Sequence, residues 1–198
     1  MIDNFNTLSP WFDNLNQGDF YFVQIIQRKK ECEINKNFNI IKNYIFYDKT
    51  SFLDAKDEIT MMCKTFNARA YFWVNPRNCK QVQIEALKQL ANSIECNNFN
   101  LYGIINKAIG VRKSNKYPKL WILDFDTQEW SIIHKYLKIV KRVVENEDFT
   151  YISVPTPNGV HILCGGFNVE LFKQELVIEK LPQIDIHKDN CTVLYYGF

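Results

Sequence analysis

Leu120-Trp121-Ile122-Leu123-Asp124-Phe125-Asp126 is a run of large apolar residues that closes on two aspartates one residue apart. The apolar part reads as a buried strand. Strand side chains alternate with period two, so Asp124 and Asp126 share one face while Leu123 and Phe125 share the other. Two carboxylates on one face, at the end of a hydrophobic strand, repel each other and resist desolvation. A divalent cation relieves both penalties, which makes the pair a candidate metal platform. A second reading stays open: a solvated strand-to-helix loop, with Asp126 or Thr127 capping the helix that follows.

Immediately upstream the charge is one-sided. No acidic residue lies between Glu95 and Asp124, whereas Lys107, Arg112, Lys113, Lys116 and Lys119 all fall in that interval. Such a stretch suits a polyphosphate or a nucleic-acid backbone beside a metal site, and it equally describes a solvated loop.

Downstream, Gln128 to about Glu145 carries an apolar stripe of Ile132, Ile133, Tyr136, Leu137, Val140 and Val144, the spacing of an amphipathic helix. Two β-rich runs then flank Asn158-Gly159, a dipeptide that favours the positive φ angles of a tight hairpin turn. His161 follows on the returning strand, on the face opposite Val160 and Ile162. There it is either a phosphate donor or metal neighbour, or a satisfied structural histidine. A third polar insertion, Gln183 to Asn190, places Asp185 and His187 on one face and Ile184 and Ile186 on the other, the pattern of an edge strand. Thr192 to Tyr196 reads as a final strand.

The first half reads as strand, excursion, short strand, helix, strand, helix. Phe20–Ile26 and Asn43–Tyr47 have strand character, and Thr50 or Ser51 is expected to cap a helix running to about Phe66. Ala68 to Val74 reads as a strand and Asn75-Pro76-Arg77-Asn78 as a turn. Helical spacing covers Gln81 to Ser93, and a short helix from Leu101 is expected to end at Gly110. This alternation implies an α/β fold, sheets with helices packed on them.

With 198 residues, 46% hydrophobic and 23% charged, the chain has material for a substantial core and is not of disordered composition. Its net charge of +2 says little about partners. No apolar run approaches the ~20 residues of a membrane span, and the N-terminus lacks a charged-then-apolar signal, so a cytoplasmic location without membrane contact is expected. Cys32, Cys63, Cys79, Cys96, Cys164 and Cys191 are scattered with no C-x-x-C pair, which points to reduced thiols rather than a zinc module.

The order of the three polar motifs is more specific than any one of them. Asp124-x-Asp126 at a strand end, then Gly159-Val160-His161, then Ile184-Asp185 resembles the archaeo-eukaryotic primase, or primase-polymerase, superfamily in its small phage or mobile-element form. The ending Ile186 to Tyr196 is also similar to those forms, as is, more weakly, Asn67 to Arg77. The resemblance implies one catalytic domain over residues 1–198: an N-terminal α/β unit (about 1–110) packed on an RRM-like sheet (about 111–198). It implies a template-dependent nucleotidyltransferase, a DNA primase or polymerase that makes or extends short primers by two-metal phosphoryl transfer. Carried over, Asp124, Asp126 and Asp185 would bind two Mg²⁺ or Mn²⁺ ions, and His161 would contact the phosphates of the incoming nucleoside triphosphate.

Lys188, Arg112, Lys113 and Lys116 are the candidates for holding nucleotide or single-stranded DNA template. Arg69 and Arg77 are weaker ones, since a turn arginine ordinarily faces solvent. Tyr71, Trp73 and Tyr151 are possible base-stacking residues or core. Asp189 competes with Asp185 as the third carboxylate, although its place beside Asn190 looks like a turn. No zinc insertion or helicase domain is visible, so a separate helicase or primase accessory protein is an implied partner. Two other readings use the same residues: a non-catalytic nucleic-acid-binding replication accessory protein, and a metal-dependent nuclease.

Overall fold

A computed structural model describes residues 1–29, 39–97, 101–111, 117–144 and 149–197. In chain order, its first elements are β1 (Ile2–Asp3), α1 (Phe5–Leu8), a 3₁₀ segment (Ser9–Asn14), β2 (Asp19–Gln27), β3 (Asn39–Phe46), α2 (Lys49–Asp54) and α3 (Lys56–Thr65). There follow β4 (Arg69–Trp73), β5 (Arg77–Asn78), α4 (Cys79–Glu95) and α5 (Leu101–Val111). The later elements are β6 (Leu120–Phe125), α6 (Trp130–Val144), β7 (Tyr151–Pro155), β8 (Val160–Gly165), α7 (Val169–Ile178), β9 (Asp185–His187) and β10 (Cys191–Tyr196). The fold is mixed helix and antiparallel sheet, as the alternation implies.

Two sheets organise it. The first runs β1-β10-β4-β2-β3, with β5 also paired to β2. Its interior strand β2 is apolar on both sides because both are covered. Tyr21, Val23 and Ile25 enter a core with Phe5, Phe12, Phe52 and Phe72, while Phe20 and Phe22 enter another with Val82, Ala108 and Ile109 of α4 and α5. The second sheet runs β7-β8-β6-β9, every pairing antiparallel, with the connectivity β-α-β-β-α-β. On one face Leu123, Phe125, Val160 and Ile162 pack against Ile133, Tyr136, Leu137 and Val140 of α6 and Phe172 and Leu176 of α7. The amphipathic stripe read from the sequence is that contact.

Several local expectations change. The first long helix is capped by Asp48, whose carboxylate accepts from the Ser51 backbone N–H at 2.8 Å, and it breaks at Ala55 into α2 and α3. Asp48 takes the role expected of Thr50 or Ser51 because it holds the extended backbone a cap needs. Helix α5 passes through Gly110 instead of stopping there. Helix α7 has no counterpart in the sequence reading. Asn168 starts it by accepting from the N–H groups of Glu170 and Leu171, and Phe172 and Leu176, one turn apart, fix its buried side.

The expected boundary near residue 110 also needs correction, because β10 leaves the C-terminal half and inserts between β1 and β4 of the first sheet. Thr192, Val193, Leu194 and Tyr195 are all buried, and a strand covered on both faces belongs in a sheet interior. The two sheets are therefore stitched together. The Asn4 side-chain amide donates to Val193 O at 2.8 Å and to Pro155 O at 2.9 Å. Asn75 clasps Leu120 from both sides, accepting from its N–H and donating to its carbonyl, each at 2.9 Å. Arg77, fully buried and not solvent-facing, forms a forked pair with Asp189 at 3.2 and 3.3 Å.

Candidate active site

Strand register brings the three sequence motifs into one row. Asp124 on β6 stands directly opposite His161 on β8 and, on its other side, directly opposite Asp185 on β9. Residues opposed in an antiparallel pair share a face, so all three side chains emerge from the same side of the sheet. The adjacent row on that face, Ile122 and Leu163, is buried in the core shared with the first sheet. One face therefore passes from apolar packing to a polar end within two residues. Asp126 follows the strand directly and is exposed at its tip.

The hairpin carrying His161 is held by a contact no turn propensity would foretell. Neither Asn158 nor Gly159 has the expected positive φ. The loop closes instead through Thr156, whose N–H donates to Gly159 O at 3.0 Å and whose hydroxyl accepts from Gly159 N–H at 3.1 Å. Gly159 is required for space: a Cβ there would lie 1.9 Å from Phe125 O and 2.7 Å from Thr127 N. The glycine lets the turn lie against the end of β6, which sets the level of His161 beside Asp124. Thr127, one of the two expected caps, accepts from the Glu129 N–H at 3.1 Å.

Asp124 and His161 interact directly, Oδ1 to Nε2, at 3.3 Å. The hydrogen bond from His161 is the main cause that holds the Asp124 carboxyl below the ordinary carboxylate range; burial opposes it, and His187 adds a smaller favourable field. His161 is 12% exposed, and its other ring nitrogen, Nδ1, lies 2.9 Å from the hydroxyl of Thr192 on β10. Both imidazole nitrogens are thus engaged.

These groups open onto a cleft of about 240 Å³ between the two sheets. Asp124, Asp126, His161 and His187 line one wall, and Arg28, Arg69 and Tyr71 line the other. Burial raises the Tyr71 phenol, an effect reduced by a hydrogen bond from Arg28 and by the fields of Arg28 and Arg69. Cys191, also on the cleft, has its thiol pushed up to about 12 by burial, so it is not a nucleophile near neutral pH.

Of the candidates read from the sequence, Asp124, Asp126, Asp185 and His161 gather at one end of the second sheet, but Asp185 is exposed beside the cleft and does not line it. Arg69 and Tyr71 join them across the cleft, the former with its guanidinium 4.2 Å from the Tyr196 ring. Lys188 does not line the cleft; its Nζ lies 5.0 Å from the Trp121 ring, on the alternate residues of β6 that pack toward the helices. Asp189 is spent on Arg77 and Asn75. Trp73 donates to Gln24 and lies tilted beside Phe22, a core role, and Tyr151 is exposed away from the cleft lining. Arg112, Lys113 and Lys116 lie outside the described residues. Sequence reasoning missed Arg28 altogether. Its only signal is its place just after an apolar strand, and nothing in one dimension pairs that strand end with Asp124.

Whether these residues suit a divalent ion can be judged from donor chemistry and placement. Carboxylate oxygens are the ligands hard cations prefer, and directly opposed like charges on neighbouring strands are unfavourable without a counter-charge. Asp124 beside Asp185 satisfies both statements. In the arrangement described, however, Asp124 is turned onto His161, and among the described residues no three His, Cys, Asp or Glu side chains converge on one point. The residue types suit a hard cation, while their placement does not close a three-ligand set. No helix among the described residues is long and apolar enough to cross a membrane. Comparison with protein-family models, with curated proteins and with solved structures finds no match for this chain.

Proposed function

We propose that this chain is a divalent-metal-dependent nucleotidyltransferase of the primase-polymerase kind, extending or making short primers on a single-stranded DNA template. The observation that carries the reading is the row His161–Asp124–Asp185, three motifs 61 residues apart at their extremes brought to one level of one sheet face. The β-α-β-β-α-β connectivity of that sheet supports the RRM-like catalytic half that the resemblance implies.

The walls of the cleft divide the labour by charge. Arg28 and Arg69 would hold the phosphates of a nucleoside triphosphate, Arg in particular being suited to forked contact with phosphate oxygens. At about 240 Å³ the cleft is smaller than the ~300–1,000 Å³ of sites that enclose whole ligands, so it accommodates the polyphosphate while base and template lie outside. Asp124, Asp126 and Asp185 would hold Mg²⁺ or Mn²⁺, which supply activation of the attacking 3′-hydroxyl and neutralisation of the triphosphate. Asp124 remains ionised across the working pH range because its carboxyl is held low. His161 Nε2, which faces the Asp124 carboxylate, would be released to donate to a phosphate oxygen once Asp124 turned to the cation.

A single labelled-primer gel tests this. Wild-type protein with Mg²⁺ or Mn²⁺, template and nucleotides should lengthen the primer, and Asp124→Asn should abolish the product without altering the melting temperature by more than a few degrees. Shortening of the strand would identify a nuclease. Retention of the strand without a new product, unaffected by Asp124→Asn, would identify a non-catalytic binding protein.

A further inference from the structure

We infer that Thr192 is a positioning residue for His161, holding the imidazole from the opposite sheet so that its Nε2 stays at the level of Asp124. The two ring nitrogens have different partners. Nε2 is 3.3 Å from Asp124 Oδ1, and Nδ1 is 2.9 Å from Thr192 Oγ1. An ionised carboxylate only accepts, so Nε2 must bear a hydrogen. In the neutral ring Nδ1 then has a lone pair and must accept, and the Thr192 hydroxyl is the donor. In the cationic ring Nδ1–H donates, and the same hydroxyl turns to accept. A hydroxyl meets both requirements by rotating, which neither an aliphatic side chain nor a carboxylate can do.

Its placement makes Thr192 more than a convenient neighbour. It is fully buried in β10, between β1 and β4, and its branched Cβ restricts χ1, so Oγ1 is fixed relative to the first sheet. That sheet also supplies Arg69 and Tyr71 to the cleft through β4, the direct partner of β10. The imidazole is thus held between Asp124 on its own sheet and Thr192 on the other. The bond sets its distance from the cationic wall. Second-sphere bonds of this kind orient histidines at metal and phosphate sites generally.

The catalytic consequence rests on the nucleotidyltransferase reading, whereas the effect on the ring does not. The test is therefore read in two ways on purified full-length protein: Thr192→Val, an isostere without a hydroxyl, and Thr192→Ser, which keeps it. Nitrogen-15 NMR of the neutral His161 ring, recorded without metal or nucleotide, should show the lone-pair Nδ1 shifted upfield by the hydrogen bond it accepts in wild type and Thr192→Ser, and without that shift in Thr192→Val. Should Thr192→Val fail to fold, Thr192→Ala gives the same reading. In primer extension, kcat should fall by roughly 10- to 100-fold in Thr192→Val with primer–template KM unchanged, and Thr192→Ser should restore it. An Nδ1 without that shift in wild type, or the same shift retained in Thr192→Val, overturns the inference. Absence of extension by any protein, with the Nδ1 shifts as expected, overturns the nucleotidyltransferase reading and leaves the role of Thr192 intact.

Discussion

Gly159→Ala is the substitution whose effect follows most directly from the coordinates. The new Cβ would sit 1.9 Å from Phe125 O and 2.7 Å from Thr127 N, both backbone atoms that cannot swing aside as a side chain would. Reaching even 3.0 Å from the carbonyl requires the turn and the end of β6 to part by about 1 Å. Overpacking a filled site costs ~1–3 kcal/mol, and an obstruction made of backbone belongs at the top of that range, roughly 3 kcal/mol. For a protein of this size each kcal/mol lowers the melting temperature by ~2–4 °C, so a fall of roughly 6–12 °C is expected. Gly165→Ala is the control. It lies on the same strand as His161 and its Cβ would meet nothing within 4 Å, so its melting temperature should stay close to that of wild type. The assay is thermal unfolding followed by circular dichroism. If Gly159→Ala melts within about 1 °C of Gly165→Ala, the close approach that levels His161 with Asp124 is wrong, and the argument from register falls with it.

Other consequences are as specific. Asp189→Ala strands the fully buried Arg77 guanidinium, whose Nε already lacks a partner, and should cost roughly 3–5 kcal/mol in urea unfolding, whereas an exposed pair such as Lys49–Asp13 should cost less than about 1 kcal/mol. Arg69→Ala should raise the KM for nucleotide about tenfold in primer extension while thermal stability changes little; an unchanged KM would remove Arg69 from the phosphate wall. The lowered carboxyl of Asp124 fixes the sign of one pH effect. Because its folded pKa lies below the unfolded value of ~3.9, its contribution is fully present above that value and is lost as pH falls through the folded one. The stability gap between wild type and Asp124→Asn should therefore close on acidification below about pH 4 and hold steady from there to neutrality, as acid titrations of both proteins would show.

Much of the site was legible because it depends on period two. Alternation alone placed Asp124 with Asp126, set His161 against Val160 and Ile162, and put Asp185 on the face opposite Ile184 and Ile186, and each apolar partner is found against α6 and α7. What lies across the cleft was not legible. Arg69 and Thr192 come from two strands of a different sheet and Arg28 from just beyond a third, and pairing between sheets leaves no trace in local spacing. Arg77 misled for the opposite reason: a turn position suggests solvent, but its partner Asp189 is 112 residues away and brings the charge inside. The Asn158-Gly159 turn was located correctly and explained wrongly, since the glycine answers a steric demand from Phe125 rather than a backbone angle. Helix α7 escaped because its apolar contacts are only Phe172 and Leu176, too few for a stripe, although Asn168 ahead of an acidic first turn was a usable start signal.

The claim on which the rest stands is that Asp124, Asp126 and Asp185 serve a common cation. Anomalous diffraction from crystals soaked in Mn²⁺ with a non-hydrolysable nucleoside triphosphate tests it without reference to activity. The expected map has a manganese peak at the strand end that carries Asp124, Asp126 and Asp185, with the triphosphate against Arg28 and Arg69. Manganese bound elsewhere, or none at this strand end with Asp124 still held by His161, would contradict the account.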